Sequence, residues 1–383
     1  MEKRIYFDNA ATSPIFPEVV HLMAETLLEV YGNPSSAHAH GRKAKNLLEE
    51  ARGTIAKLLH CQPGEIIFTS GGTEADNMVL RGSIQSLGVK NIITSPIEHH
   101  AVLHTAEHLA KQGLVQLHLV KLDEKGQVDL ADLEVLLAAQ PHALVSLMHA
   151  NNEIGNLLPL ETVGKLAHKY GAYFHSDTVQ TMGQFPLDLS TGHVDFVVGA
   201  AHKFNGPKGV GFLYCPRKNR PAAIITGGAQ ERELRSGTEN LHAVVGMAKA
   251  LELSTEQMEA KRQHCLELKQ YMMSQLRAAI PTVAFNGDPM GASNPSVLSV
   301  SLPPSDNGGM LLFNLDIAGI SASGGSACSA GASVGSHVIA ALEPNSTRTT
   351  VRFSFGKQNT KEEVDTVVST LQSLYPEPVP AAV

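Results

Sequence analysis

Apolar residues recur along this chain at two different spacings, and the chain switches between them many times. Within 41–60, Ala44, Leu47, Leu48, Ala51, Ile55, Leu58 and Leu59 return every three or four residues, and Arg42, Lys45, Glu49, Arg52 and Lys57 fall mostly on the other side. This pattern predicts a helix with one buried face. Short, strand-like apolar runs follow at 65–69, 91–94, 116–122, 143–148, 172–175, 195–198 and 210–214. Helix-like stretches at 72–87, 98–112, 129–139 and 160–170 separate many of them. Strands alternating with helices predict an α/β domain built on a mainly parallel sheet. Beyond a polar, glycine-containing loop from Gly227 to Asn240, one helix is predicted from 241 to about 279. Strand candidates at 296–302 and 350–355 then predict a smaller α/β domain. The expected division is 15–255 for the large domain and 1–14 with 256–375 for the small one. The Pro/Ala-rich stretch 376–383 is expected to fray.

Composition narrows the functional classes. A chain of 383 residues, 43% hydrophobic and 17% charged, has the make-up of an ordinary globular protein. Its net charge of −7 comes without a basic block, so no nucleic-acid partner is expected. No apolar run approaches the ~18 residues of a membrane span, and no apolar segment follows the basic residues at the start. A cytoplasmic protein with no membrane partner is the expectation. Cys61, Cys215, Cys265 and Cys328 are widely separated and form no Cys-x-x-Cys pair, so neither a disulfide framework nor a zinc site is expected, and no metal.

Three segments carry candidate chemistry. In Ile66-Ile67-Phe68-Thr69-Ser70-Gly71-Gly72-Thr73, a strand runs through a glycine turn into a helix. Backbone N–H groups there, with the Thr73 hydroxyl, suit a phosphate, although many strand–helix turns hold two glycines for structural reasons alone. Asp177 closes Tyr173-Phe174-His175-Ser176-Asp177, at the carboxyl end of a predicted buried strand, where α/β proteins bind ligands. A carboxylate there either caps the next helix or meets a cation such as a protonated pyridine nitrogen. Lys203 follows another apolar strand and precedes Phe204-Asn205-Gly206-Pro207-Lys208, which places its amine in a cleft, where desolvation would suit it to form a Schiff base. Lys208 is the competing lysine. A phosphate turn, a strand-end aspartate and a downstream lysine, in that order, resemble the fold-type I enzymes that use pyridoxal 5′-phosphate (PLP).

The local sequences sharpen this into a resemblance to cysteine desulfurases of the NifS/IscS type, within the class V aminotransferase superfamily. It runs from Tyr6-Phe7-Asp8-Asn9-Ala10-Ala11-Thr12 to Val351-Arg352-Phe353-Ser354-Phe355-Gly356. Between them stand Gly32-Asn33-Pro34-Ser35-Ser36, the stretch 69–77, Glu98-His99, Asn151-Asn152-Glu153-Ile154-Gly155, His202-Lys203, Arg235-Ser236-Gly237-Thr238 and Ser326-Ala327-Cys328. The resemblance implies a fold-type I PLP-dependent transferase in which Lys203 bonds to the cofactor aldehyde, Asp177 pairs with the ring nitrogen and His99 stacks on the ring. It implies that Gly72, Thr73 and His202 surround the phosphate, and that Thr238 reaches the phosphate of a neighbouring subunit in a homodimer. Asn152 and Gln180 would contact the cofactor, Asn152 also the substrate, and Arg352 would hold the substrate carboxylate. Cys328, in the small and polar segment Ser323-Gly324-Gly325-Ser326-Ala327-Cys328-Ser329, would receive sulfur from L-cysteine as a persulfide, leaving L-alanine. Sulfur would then pass to an acceptor protein, such as an iron–sulfur scaffold or a sulfurtransferase. A selenocysteine lyase, a class V aminotransferase and a non-catalytic scaffold on the same fold are the competing readings. Two departures stand out: Ala200 occupies a place where related enzymes commonly have serine, and Val334-Gly335-Ser336-His337 replaces the usual Glu-Pro-Ser-His.

Overall fold

The computed structural model describes residues 4–305, 308–325 and 335–375. Cys328 lies outside the described residues. The chain opens with β1 (Ile5–Tyr6), α1 (Pro17–Glu29) and α2 (Ala39–Leu58), then alternates strand and helix. The order is β2 (Ile66–Thr69), α3 (Gly72–Ser86), β3 (Asn91–Thr94), α4 (His100–Lys111), β4 (Gln116–Leu119), α5 (Leu130–Ala139), β5 (Ala143–Ser146), α6 (Leu160–Lys169) and β6 (Tyr173–Asp177). After β7 (Phe196–Ala200) and β8 (Gly211–Tyr214) come α7 (Leu241–Glu256) and α8 (Met258–Ala279). The remainder is β9 (Ala284–Phe285), β10 (Val297–Leu302), α9 (Leu311–Ile317), β11 (Ile320–Ser321), α10 (His337–Leu342), β12 (Thr349–Ser354) and α11 (Lys361–Leu374).

The predicted α/β class is what the chain adopts. Seven strands form one sheet in the order β2-β8-β7-β6-β5-β3-β4, and only β8 runs against the rest. Apolar cores cover both faces: one includes Val19, Ile55, Phe174 and Met247, the other Met78, Ile92, Leu144 and Leu213. Burial on both faces explains why these strands read as continuous apolar runs rather than alternating ones. The carboxyl ends of β2, β6 and β7 therefore open on the same edge of the sheet. A separate core gathers Phe7, Leu268, Met272, Val300, Val351, Phe353 and Val367 around the antiparallel sheet β12-β10-β9. Phe7 meets Phe353 and Phe355 edge to face, which anchors the N-terminal strand in this second core.

One expectation is corrected. The predicted single helix from 241 to about 279 is two helices, α7 and α8, parted at Gln257 (φ −97°, ψ 3°). Leu241, Val244, Met247 and Leu251 bury α7 in the core of the large sheet, and Cys265, Leu268, Met272 and Leu276 bury α8 in the second core. The chain bends because each helix follows its own apolar surface. No glycine or proline marks the place.

A buried clamp holds the loop between β8 and α7. Both nitrogens of the Arg52 guanidinium fork donate to Glu231 at 2.8 Å, Nη1 also donates to the Ile66 carbonyl, and the Phe68 N–H donates to Glu231 Oε2. Around it the backbone of Glu231, Arg232 and Glu233 is left-handed, with φ of 45°, 59° and 66°. Such conformations cost roughly 1–3 kcal/mol each and persist only where surrounding contacts over-determine them. A second pair, Arg235 with Glu74, joins the same loop to the start of α3.

No helix among the described residues is long and apolar enough to cross a membrane.

Candidate active site

The strand ends, the start of α3 and the N-terminal strand enclose a cavity of about 220 Å³. Gly72, Thr73, His99, Asn152, Asp177, Gln180, His202, Lys203 and Arg352 all line it. The fold thus gathers residues that span 280 positions of sequence into one chamber. Thr238 is not among the lining residues; it is exposed on the loop before α7. Ala200, at the end of β7, lines the cavity with a methyl group where a hydroxyl would offer a hydrogen bond.

Lys203 sits in the short turn after β7 and is half-buried. Its amine donates to the backbone carbonyls of Ala10 and Ala11 at 2.6 and 2.8 Å. Those two alanines also line the cavity, and Gln180 donates its amide to the same Ala10 carbonyl at 3.0 Å. The N-terminal segment is therefore a wall of the site, held there by Phe7 in the second core on one side and by Phe16 against the large core on the other.

The turn into α3 is tight for a packing reason. A Cβ at residue 72 would stand 2.8 Å from the Val179 Cγ2 atom, so only glycine allows the helix start to approach β6 this closely. The first turn of α3 leaves its N–H groups without carbonyl partners from its own helix, which suits an anion.

Asp177 is 7% exposed and ends β6. One carboxylate oxygen accepts from the Val179 N–H at 2.9 Å, closing a local turn rather than capping a helix, since none follows β6 here, and the side chain also lines the cavity. Burial raises its carboxyl above the usual range, while His99 and Lys203 pull the other way. His99 caps α4: its Nδ1 accepts from the Ala101 N–H at 3.2 Å, which leaves the ring proton on Nε2. Burial lowers the His99 pKa and keeps the ring neutral. His100 points into different surroundings, bonding His337 Nδ1 at 3.1 Å. His337 Nε2 in turn donates to the Glu98 carbonyl at 2.9 Å, so His100 is the donor of the pair.

Arg352, only 2% exposed, reaches the cavity from β12. Nη2 meets Asp8 at 2.9 Å and Nη1 donates to the Asn152 carbonyl at 2.8 Å, while the buried Nε has no hydrogen-bond partner. Arg352 is thus both paired with Asp8 and part of the cavity wall.

Sequence reasoning missed Asp76. It lies on α3 three positions beyond Thr73, lines the cavity, and is 1% exposed. Asp76, His99 and Asp177 each place a side-chain nitrogen or oxygen within 4.8 Å of the others. The signal was available: an aspartate one helical turn from a phosphate-turn threonine faces the same way.

The family that contains such a chamber is now evident. The class-V aminotransferase profile matches residues 5–367. The chain belongs to the class-V aminotransferase family. Within it the chain stands with the NifS/IscS-type cysteine desulfurases, as the local sequences implied. It is 39% identical to the cysteine desulfurase IscS of Dictyoglomus turgidum over 378 residues, covering 98% of this chain and 95% of that protein. Among solved structures, a NifS-like protein superposes with a TM-score of 0.89 at 36% identity, covering 97% of this chain and 99% of the other. The protein SspA in complex with cysteine superposes with a TM-score of 0.80 at 28% identity, over 94% of this chain and all of the other. The fold is that of the NifS-like, fold-type I enzymes.

Proposed function

We propose that this chain is a PLP-dependent cysteine desulfurase that converts L-cysteine to L-alanine and carries the sulfur as a persulfide on Cys328. The observation that supports this most is the convergence of Lys203, Asp177, His99, the α3 turn and Arg352 on one cavity.

The residues fit the cofactor. The α3 turn, narrowed by Gly72 and extended by Thr73 and His202, suits its phosphate, and buried Asp177 suits a cationic ring nitrogen. Lys203 would bond to its aldehyde, His99 and Gln180 would contact its ring, and Asn152 would serve both cofactor and substrate. When bound, the group supplies an electron sink that makes the Cα proton of the substrate removable.

Everything else falls to the chain. Arg352 binds the substrate carboxylate through its planar donors, which requires it to share or exchange its contact with Asp8. Lys203 takes the Cα proton as general base. The Cys328 thiolate attacks the substrate sulfur: a sulfur–sulfur bond forms, the carbon–sulfur bond breaks, and the electron pair left on carbon takes up a proton to become the methyl group of alanine. His99, with its proton on Nε2, is the donor for that step. The sum is L-cysteine plus thiol to L-alanine plus persulfide, which balances without an external oxidant.

Thr238, exposed in its own chain, is assigned to the phosphate of a neighbouring subunit, so a homodimer is the working form. The persulfide is passed to a sulfur-acceptor protein, an iron–sulfur scaffold or a sulfurtransferase. The test is to add L-cysteine to PLP-loaded protein and weigh the peptide that carries Cys328. The expected result is one added sulfur, accompanied by alanine. Alanine formed at full rate by Cys328→Ser protein would overturn the assignment.

A further inference from the structure

Beside Asp177 the cavity wall contains a second carboxylate for which the reaction above has no use. Asp76 comes from α3 and Asp177 from β6, and both are buried with ligand atoms within 4.8 Å of each other and of His99. Two ionised carboxylates at that separation, away from water, repel strongly, so one proton is favoured between them. The two are not equally placed to keep it. The Val179 N–H bond and Lys203 act on Asp177 to favour its charge. Burial, then the charge of Asp177, push the carboxyl of Asp76 well above its ordinary range.

Behind Asp76 stands His175, with no exposed surface, on the same face of β6 as Asp177. Its Nε2 lies 3.4 Å from Asp76 Oδ1, and both of these buried atoms lack any hydrogen-bond partner. The other ring nitrogen, Nδ1, lies 2.8 Å from the Ser146 hydroxyl. Burial holds His175 neutral, lowering its pKa to about 3. A neutral imidazole offers one donor and one acceptor. If Asp76 carries a proton, it donates to Nε2, and Nδ1–H donates to Ser146. If Asp76 is ionised, the ring adopts its other tautomer, Nε2–H donates to Asp76, and the serine hydroxyl donates to Nδ1. The pair accommodates either state after closing a few tenths of an ångström, and its electrostatic surroundings select the first.

We propose that Asp76, backed by His175, is a proton-holding positioning residue: it remains a neutral acid beside Asp177 and leaves Asp177 as the single carboxylate charge that meets a cationic ring nitrogen. The final clause rests on the cofactor reading above; the neutral acid is a property of the chain alone. The titratable groups facing Asp76 are Asp177 and His175 from β6, and Glu98 and His99 just before α4.

Infrared spectroscopy tests this on full-length protein, both free of cofactor and loaded with PLP. Aspartate carboxyls labelled with ¹³C separate their bands from those of protonated glutamates such as Glu98. The expected result is a protonated-aspartate carbonyl band that persists from pH 6 to 8 and shifts in heavy water. It is lost in Asp76→Asn and retained in Asp177→Asn. His175→Gln keeps the band but moves it, because an amide replaces the imidazole as partner. Absence of the band in the wild type, its survival in Asp76→Asn, or an unmoved band in His175→Gln would overturn the proposal. Should PLP give no visible absorbance with the wild-type protein, the cofactor reading fails while the infrared result still decides the state of Asp76.

Discussion

Arg52 with Glu231 and Asp76 with His175 are both fully buried acid–base pairs, and they are finished to different degrees. Arg52 and Glu231 form a closed clamp: two parallel donors on two oxygens at 2.8 Å, with the Phe68 N–H and the Ile66 carbonyl taking further bonding capacity. Asp76 and His175 are left open at 3.4 Å, each with an unpartnered buried atom. The first lies between β2 and the loop before α7; the second lies against the cavity. The difference separates a group satisfied by the fold from one whose surroundings are completed by a proton or a ligand. Unsatisfied buried polar atoms are uncommon in folded proteins and mark places where structure has been arranged for another purpose.

The comparison is most directly broken at the closed pair. Arg52→Met leaves a buried carboxylate without its cation and is expected to lower stability by about 3–5 kcal/mol, measured by urea denaturation. Adding Glu231→Leu should recover part of that loss, and a double variant weaker than the sum of both singles would show that the pair is not one unit. At the open side, Asp177→Asn removes the charge proposed to face the cofactor's ring nitrogen. It is expected to reduce kcat by about 10²–10³ in an alanine-release assay, as loss of a preorganised charge contact does. Arg352→Lys keeps the charge but loses the planar fork. Its expected effect is a roughly 10–100-fold rise in KM for L-cysteine, the equivalent of one charged hydrogen bond. The smallest effect per step is on pH dependence. Glu98, wholly buried, is raised to about 8 by burial and by Asp177, partly offset by its bonds from Met148 and Ser95. The folded state keeps this proton while the unfolded chain loses it above about pH 4.3. Folding stability should therefore fall as pH rises towards 8, by up to about 1.4 kcal/mol per pH unit from this group. Glu98→Gln should remove that slope; equal slopes in variant and wild type would place the proton elsewhere.

Much of this arrangement was legible in the sequence because it is local. The strand 91–94 matches the observed bounds of β3, and the other large-sheet strands agree to within a few residues, since apolar runs between helices have few alternatives. Lys203, Asp177 and the Gly72-Thr73 turn occupy strand ends, and the fold brings strand ends together. What could not be read is non-local. Nothing near Arg352 announces that its partner is Asp8, 344 positions away. The helical spacing from Thr73 points Asp76 toward the same side, but its burial depends on β6 packing across it, which only the fold shows. The break at Gln257 has no sequence signal of its own; it arises from two cores competing for one helix.

The N-terminal segment has a mechanical consequence. Phe7 is rooted in one core and Phe16 packs on the other, and midway between them the carbonyls of Ala10 and Ala11 grip the lysine amine. Any sliding of one body against the other must pull on that strap. A displacement of one core against the other would therefore be felt at the amine of Lys203.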